Sequence, residues 1–162
     1  MSTSKYICEK GVERCLSSGV VAHPLNPQAK RKTLSLGDAT GLGRVAVHVN
    51  VVAPGDETTE PHVHEFVDEF VYILSGNASV YLDGVEHSVS AGDFVAFPAQ
   101  GPAHWMKNTG SVDLVYLVGG DRAAFDVCEY PRLEKRVYVM ARDDGRHLHF
   151  VDTKNVTAVR RP

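Results

Sequence analysis

The chain has 162 residues, 43% of them hydrophobic, which suits one domain with a real core and leaves room for an extended arm or tail. Its formal charge of −3 is mild, and the basic runs Lys30-Arg31-Lys32 and Arg160-Arg161 read as solvated loop, which gives nucleic-acid binding little electrostatic support. No stretch has the length a bilayer span needs and no apolar h-region follows Met1 to Tyr6, so the protein is expected to be soluble and cytoplasmic, with Cys8, Cys15 and Cys128 as reduced thiols.

Residues 1–43 mix apolar patches with turn signals at His23-Pro24 and Asn26-Pro27 and are read as an arm. Gly41 and Gly43 lack the third glycine and the helix of a dinucleotide fingerprint and are read as a flexible turn. From Val45 the pattern has period two, with Val45, Val47, Val49 and Val51 on one face of a strand. His48 and Asn50 fall on the other face, which reads equally as a cavity wall orienting a substrate or as an exposed polar surface. Glu69 opens the apolar run Phe70 to Leu74, a strand that a bend at Glu65 to Asp68 could fold back beside His62 and His64. Ala78 to Leu82 and Val85 to Val89 flank Asp83-Gly84, whose left-handed preference predicts a type I′ hairpin with His87 opposite Val80 at the surface.

Ser90 to Asp93 is the next turn, and Phe94 to Phe97 is a strand stopped by Pro98, with Phe94 and Phe97 expected in the core. His104 to Asn108 and Asp113 to Val118 complete the set. Short strands with turn signals and no long 3.6-residue period between residues 44 and 120 are the mark of a sandwich or barrel. Arg136 to Ala141 and Arg146 to Val151 flank Asp143-Asp144-Gly145 as a final hairpin. His147 and His149 are read as one face of that tail.

His62, His64, Glu69 and His104 together offer three imidazoles and a carboxylate, a set that binds a divalent transition metal. His62 and His64 are two apart, which on a strand puts both rings on one face. His104 lies 35 residues beyond Glu69, so it joins them only if a sheet closes round on itself. The bland alternative is four polar residues lining a wet barrel mouth. Against it, a buried glutamate without a partner is costly, whereas a divalent ion favours its charged form. Asp68 points to the opposite face from Glu69; a strand starting one residue earlier would exchange the two.

Gly55-x6-His62-x-His64-x4-Glu69-x6-Gly76 and Gly92-x5-Pro98-x2-Gly101-x2-His104-x3-Asn108 resemble the two signature motifs of the cupin superfamily, with one extra residue after Gly55 and one after Pro98. The resemblance covers residues 44 to 120, and its six-residue interval to Gly76 favours Glu69 over Asp68. It implies an all-β, double-stranded β-helix (jelly-roll) barrel core over 44–120, an N-terminal arm 1–43 packing on the barrel or a partner subunit, and a C-terminal extension 121–162. It further implies a homodimer, and His62, His64, Glu69 and His104 as ligands of one divalent transition metal per chain: Zn, Mn, Fe or Ni. Asp126 to Pro131 and the tail look like a bacterial group of single-domain cupins, a likeness that fixes no reaction.

Four protein ligands on an octahedral ion leave two positions, which can hold two oxygens of a sugar, sugar phosphate or hydroxy-keto compound for isomerase- or epimerase-like Lewis-acid chemistry. With Fe, one position can take O₂ and the same cage supports a dioxygenase. A non-catalytic small-molecule-binding barrel is the third reading; the absence of a helix-turn-helix pattern counts against a transcription factor. A sugar phosphate needs a cationic subsite, for which Arg44, Lys107 and Arg122 are candidates. An oxygenase pocket would draw on Trp105, Met106, Val71 and Ile73. The expected partner is a small-molecule substrate, not nucleic acid or membrane. No catalytic residue is named: Tyr72 and Tyr81 are candidates, but both alternate to the outer face if Glu69 and Val80 point inward.

Overall fold

A computed structural model describes residues 4–159; the Arg160-Arg161 reading lies outside them. A short helix α1 (Gly11–Leu16), strands β1 (Val20–His23) and β2 (Asn26–Ser35), and a second short helix α2 (Leu36–Thr40) come first. The middle of the chain is strand after strand: β3 (Val45–Val52), β4 (Val63–His64), β5 (Glu69–Ser75), β6 (Asn77–Leu82), β7 (Val85–Ser90), β8 (Phe94–Phe97), β9 (His104–Asn108) and β10 (Leu114–Asp121). The last are β11 (Phe125–Tyr130), β12 (Lys135–Arg142) and β13 (Gly145–Asp152). Among the described residues no helix is long and apolar enough to cross a membrane.

The strands form three sheets, ordered β1-β2-β3-β10-β5-β8, β13-β12-β11-β4 and β7-β6-β9. Alternation along each strand decides what lies between them. Val52, Ile73, Leu114 and Phe97 from the six-stranded sheet pack against Ala78, Val80 and Met106 from the three-stranded sheet, forming the main core. The opposite face of β3 has its own partner: Val49 and Val51 pack with Val115 and with Cys15 of α1, whose thiol donates to the Val49 carbonyl at 3.3 Å. The valine face read from the sequence is therefore the outer one, roofed by the N-terminal segment, while His48 and Asn50 share the face of Val52.

Residues of β2 pair with β3 from Lys32↔Val51 to Ser35↔His48, so this part of the N-terminal segment extends the sheet. Lys30-Arg31-Lys32 is consequently strand, not the solvated loop its charge suggested; Lys30 is exposed, but Arg31 and Lys32 are half-buried. Phe94 also departs from expectation, being 62% exposed and stacked on Phe70, whereas Phe97 is 3% exposed. The two are three residues apart, and alternation places them on opposite faces.

Asp83 and Gly84 have φ of 48° and 83°, as the predicted type I′ turn requires. Gly76, at φ +88°, ends the first motif where a Cβ would come 2.8 Å from the Asp113 carbonyl. Asn108, fully buried, donates to the Val52 and Val112 carbonyls at 2.8 and 2.9 Å and accepts from Gly110 N–H at 2.9 Å, tying β9 to the ends of its neighbours. The final hairpin forms as read, with β13 exposed along Gly145 to Phe150.

Candidate metal centre

His62 and His104 are held together by backbone before their rings do anything: His62 N–H donates to His104 C=O at 3.2 Å, and His104 N–H returns to His62 C=O at 2.9 Å. Two residues on, His64 pairs with Cys128 of β11. Glu69 pairs with Phe97 of β8 on one side and Gly120 of β10 on the other. The expected hairpin between the His62–His64 segment and β5 does not form. β4 is two residues long and finds its ladder partner in β11, so Glu65 to Asp68 crosses from one sheet to another.

The crossing still brings the four side chains together, with one donor atom from each of His62, His64, Glu69 and His104 within 4.8 Å of the others. Bonds of about 2.0–2.2 Å put neighbouring donors on an ion about 3 Å apart and opposite ones about 4 Å apart, so the set fits a divalent transition ion. Asp68 is not among them; its carboxylate accepts the Ala99 N–H at 2.8 Å. His147 and His149 lie on exposed β13, where His147 pairs with Asp144.

Each ring is oriented through its Nδ1: His62 by the Glu60 carbonyl at 2.9 Å, His104 by the Pro102 carbonyl at 3.2 Å, and His64 by the Asp126 carboxylate at 2.6 Å. With Nδ1–H donating in each case, Nε2 is the ring nitrogen turned to the centre, its lone pair free for an ion once any proton it carries has left. Asp126 is 2% exposed, and its other oxygen accepts the Phe66 N–H at 3.1 Å. Cys128 places Sγ 3.2 Å from the same His64 Nδ1. The sequence reading assigned no role to Asp126 or Cys128, because the β4–β11 pairing that brings them in spans more than sixty residues. Their only local signal is spacing by two on a strand.

Burial and the neighbouring imidazoles push His62 down to about 3. Burial also opposes charge on His64, but Asp126 and Cys128 outweigh it and carry that pKa up to about 10. Burial would raise the Glu69 carboxyl; the hydrogen bond from His104 and the nearby imidazoles instead hold it below its usual value. Phe97 stacks on the His104 ring at 3.9 Å and Tyr130 on His62 at 5.7 Å.

The centre opens into a cavity of about 250 Å³ walled by Val71, Phe97, Trp105 and Met106, with Ile73 buried behind them. Asn50 and Tyr116 also line it, as do Arg31 and His23 from the N-terminal segment. His48 faces a second cavity, of about 290 Å³, that shares His64 and Glu69. Of the cations considered from sequence, Arg44 and Lys107 line neither cavity, and Arg122 lines the second, where it pairs with Asp38 at 2.6 Å. Arg31 was missed because its strand was not recognised.

Residues 48–120 match the profile of the Cupin domain family, and both signature motifs fall where they build this centre. The chain belongs to the cupin superfamily. The jelly-roll cupin fold inferred from the motifs is borne out by likeness over nearly the whole chain to solved structures. One is a "Putative sugar phosphate isomerase" from Acidithiobacillus ferrooxidans, 36% identical with a TM-score of 0.87 over 99% of this chain and 100% of that one. Another is a sugar phosphate isomerase of the cupin superfamily from Silicibacter pomeroyi, 29% identical with a TM-score of 0.74 over 87% and 88%. This cupin also resembles Protein SchB of Streptomyces halstedii, 38% identical over 73 residues. The match spans about half the length of the curated relatives, 51% of SchB and 48% of the tetracenomycin protein TcmJ from Streptomyces glaucescens.

Proposed function

We propose that this cupin is a metal-dependent enzyme of the isomerase type acting on a small sugar phosphate or hydroxy-keto compound, with His62, His64, Glu69 and His104 holding one Zn, Mn, Fe or Ni ion. The observation that carries the metal part is the uniform anchoring of the three imidazoles through Nδ1, which leaves three Nε2 atoms converging with the Glu69 carboxylate. The substrate class is supported by end-to-end likeness to the Acidithiobacillus protein. Such an ion supplies Lewis acidity, making a bound hydroxyl or the proton on an adjacent carbon easier to remove.

The chain's own residues then divide the remaining work. Glu69 stays ionised in a half-buried place, and His62 stays neutral. Tyr116, pushed up to about 12 by burial, and Tyr130, pushed up by the same cause, remain phenols, able to donate a hydrogen bond and unable to act as bases. His23 is lowered by burial and by Arg31, so it is neutral near pH 7. Its Nδ1 accepts the Leu25 N–H at 3.2 Å, which leaves Nε2 as the protonated nitrogen. We assign His23 the proton-moving role, because among the described lining residues of this cavity it is the one imidazole outside the donor set. The exposed strand β13, with Leu148 and Phe150 at the surface, supports the expected homodimer, which light scattering tests.

Metal analysis of protein purified without chelator should find about one equivalent per chain, lost in His104→Ala. Metal-loaded protein should interconvert an aldose and a ketose phosphate in a coupled assay run without oxygen. Protein that stays metal-free after incubation with Mn, Fe, Ni and Zn would reject the centre, and oxygen uptake by the Fe form with turnover would replace the isomerase with the oxygenase.

A further inference from the structure

One wall of the cavity is polar in an ordered way. Thr33 faces Asn50 directly across the β2–β3 ladder, and Asn50 faces Tyr116 across β3–β10. Directly paired residues share a face, as do residues two apart on one strand, so Arg31, Asn50 and Tyr116 come from three consecutive strands to one side of the sheet. All three line the cavity.

Two of these groups have unmet bonding capacity. Asn50 is 3% exposed, and its Oδ1 has no hydrogen-bond partner among the described residues, an unusual state for a buried amide. Arg31 donates through Nη1 to the Thr58 carbonyl at 2.8 Å, which aims the guanidinium, and it makes no ion pair among the described residues. Its remaining N–H groups form the planar fork that matches phosphate or carboxylate. The second cavity is the poorer place for an anion, since Arg122 is already paired with Asp38, Arg146 donates to the Ala123 carbonyl at 3.2 Å, and Asp121 and Asp126 line the same space.

We propose that Arg31 and Asn50 form a subsite for the anionic end of the substrate, Arg31 taking an oxyanion and Asn50 Oδ1 accepting a hydrogen bond from the neighbouring substrate hydroxyl. It rests on the reading of a sugar-phosphate substrate only for which oxyanion is bound. The subsite places the anion on the sheet formed by β2, β3 and β10, and leaves the carbonyl-and-hydroxyl end of the molecule for the donor set.

Calorimetric titration with inorganic phosphate, glycerol 3-phosphate, glycerate and glycerol tests this, on metal-loaded protein and on chelator-treated protein, where phosphate cannot report on an ion. Arg31→Gln should weaken both phosphates and glycerate at least about tenfold in both forms with metal content unchanged, Arg31→Lys should recover part of the loss, and glycerol should be insensitive. Asn50→Leu should weaken glycerol 3-phosphate and spare inorganic phosphate. Tighter binding of glycerol 3-phosphate than of glycerate supports the subsite as a phosphate site, and the reverse order supports it as a carboxylate site. Wild-type affinities in Arg31→Gln, or no oxyanion binding by the chelator-treated wild type, would overturn it. Should Arg31→Gln not fold, Asn50→Asp sets a carboxylate beside the guanidinium and should abolish oxyanion binding; unchanged affinity there also overturns it. Arg31-dependent phosphate binding without any turnover would retire the isomerase and leave the subsite standing.

Discussion

Gly120 and Gly119 are adjacent on β10, and replacing each by alanine should give opposite results. Gly120 pairs with Glu69, and a Cβ there would come 2.5 Å from the Asp68 carbonyl oxygen and 3.3 Å from Glu69 Cα. Comfortable contacts begin near about 3.5 Å, so something must move by about 1 Å, and both neighbours are backbone. Overpacking of this kind costs about 1–3 kcal/mol, which for a chain of this length lowers Tm by about 2–12 °C. Metal bonds tolerate shifts of only about 0.2 Å, so displacement of Glu69 should also weaken metal binding at least about tenfold. At Gly119 the Cβ meets the Phe70 ring at 2.5 Å and the Ala46 carbonyl oxygen at 3.2 Å; the carbonyl need give only a few tenths of an ångström, and the ring is the mobile end of a half-buried side chain stacked on exposed Phe94. Gly119→Ala should therefore stay within about 1 kcal/mol of wild type, the lost entropy of the unfolded glycine offsetting part of the strain. Thermal melts and competition titration with a chromophoric chelator measure both quantities. If Gly120→Ala retained wild-type metal affinity, or if the two variants lost it equally, the coupling of Glu69 to the β10 backbone would be wrong.

In metal-free protein the Asp126 carboxylate keeps His64 protonated up to about 10, so an incoming ion must displace that proton. Metal affinity should rise with pH between about 6 and 9 with release of about one proton, measured by calorimetry in buffers of different ionisation heat; a flat profile would contradict the His64 assignment. The same raised pKa stabilises the metal-free fold fully below the unfolded value near 6.5 and is lost as pH climbs through 10, so its Tm should fall across that window while metal-loaded protein is insensitive. His23→Gln should lower kcat about 10²- to 10⁴-fold with metal content unchanged, and kinetics indistinguishable from wild type would remove His23 from the reaction.

Local chemistry carried the sequence reading a long way. The Asp83-Gly84 turn, the period-two strands and the four donors all depend on residues a few positions apart, or on motif spacings that survive without knowing which strands pair. What escaped was pairing over long separations. Nothing near His64 announces that its short strand ladders with β11, and nothing in Lys30-Arg31-Lys32 announces that this charged run is strand beside β3. Alternation also says which side chains share a face and is silent on which face is the inner one. Val45 to Val52 shows this: the uniformly apolar face lies under α1, and the face interrupted by His48 and Asn50 looks into the cavities.

The carboxylate that aims His64 sits at position 126, past the end of the stretch 48–120 that matches the family. All four donors lie inside that stretch, while the acidic group tuning one of them belongs to a strand that descent can alter independently. Two proteins could thus share an identical cage and differ in basicity, ion preference and rate through a single downstream substitution. Comparing such centres by their ligands alone will miss the residue that sets them apart.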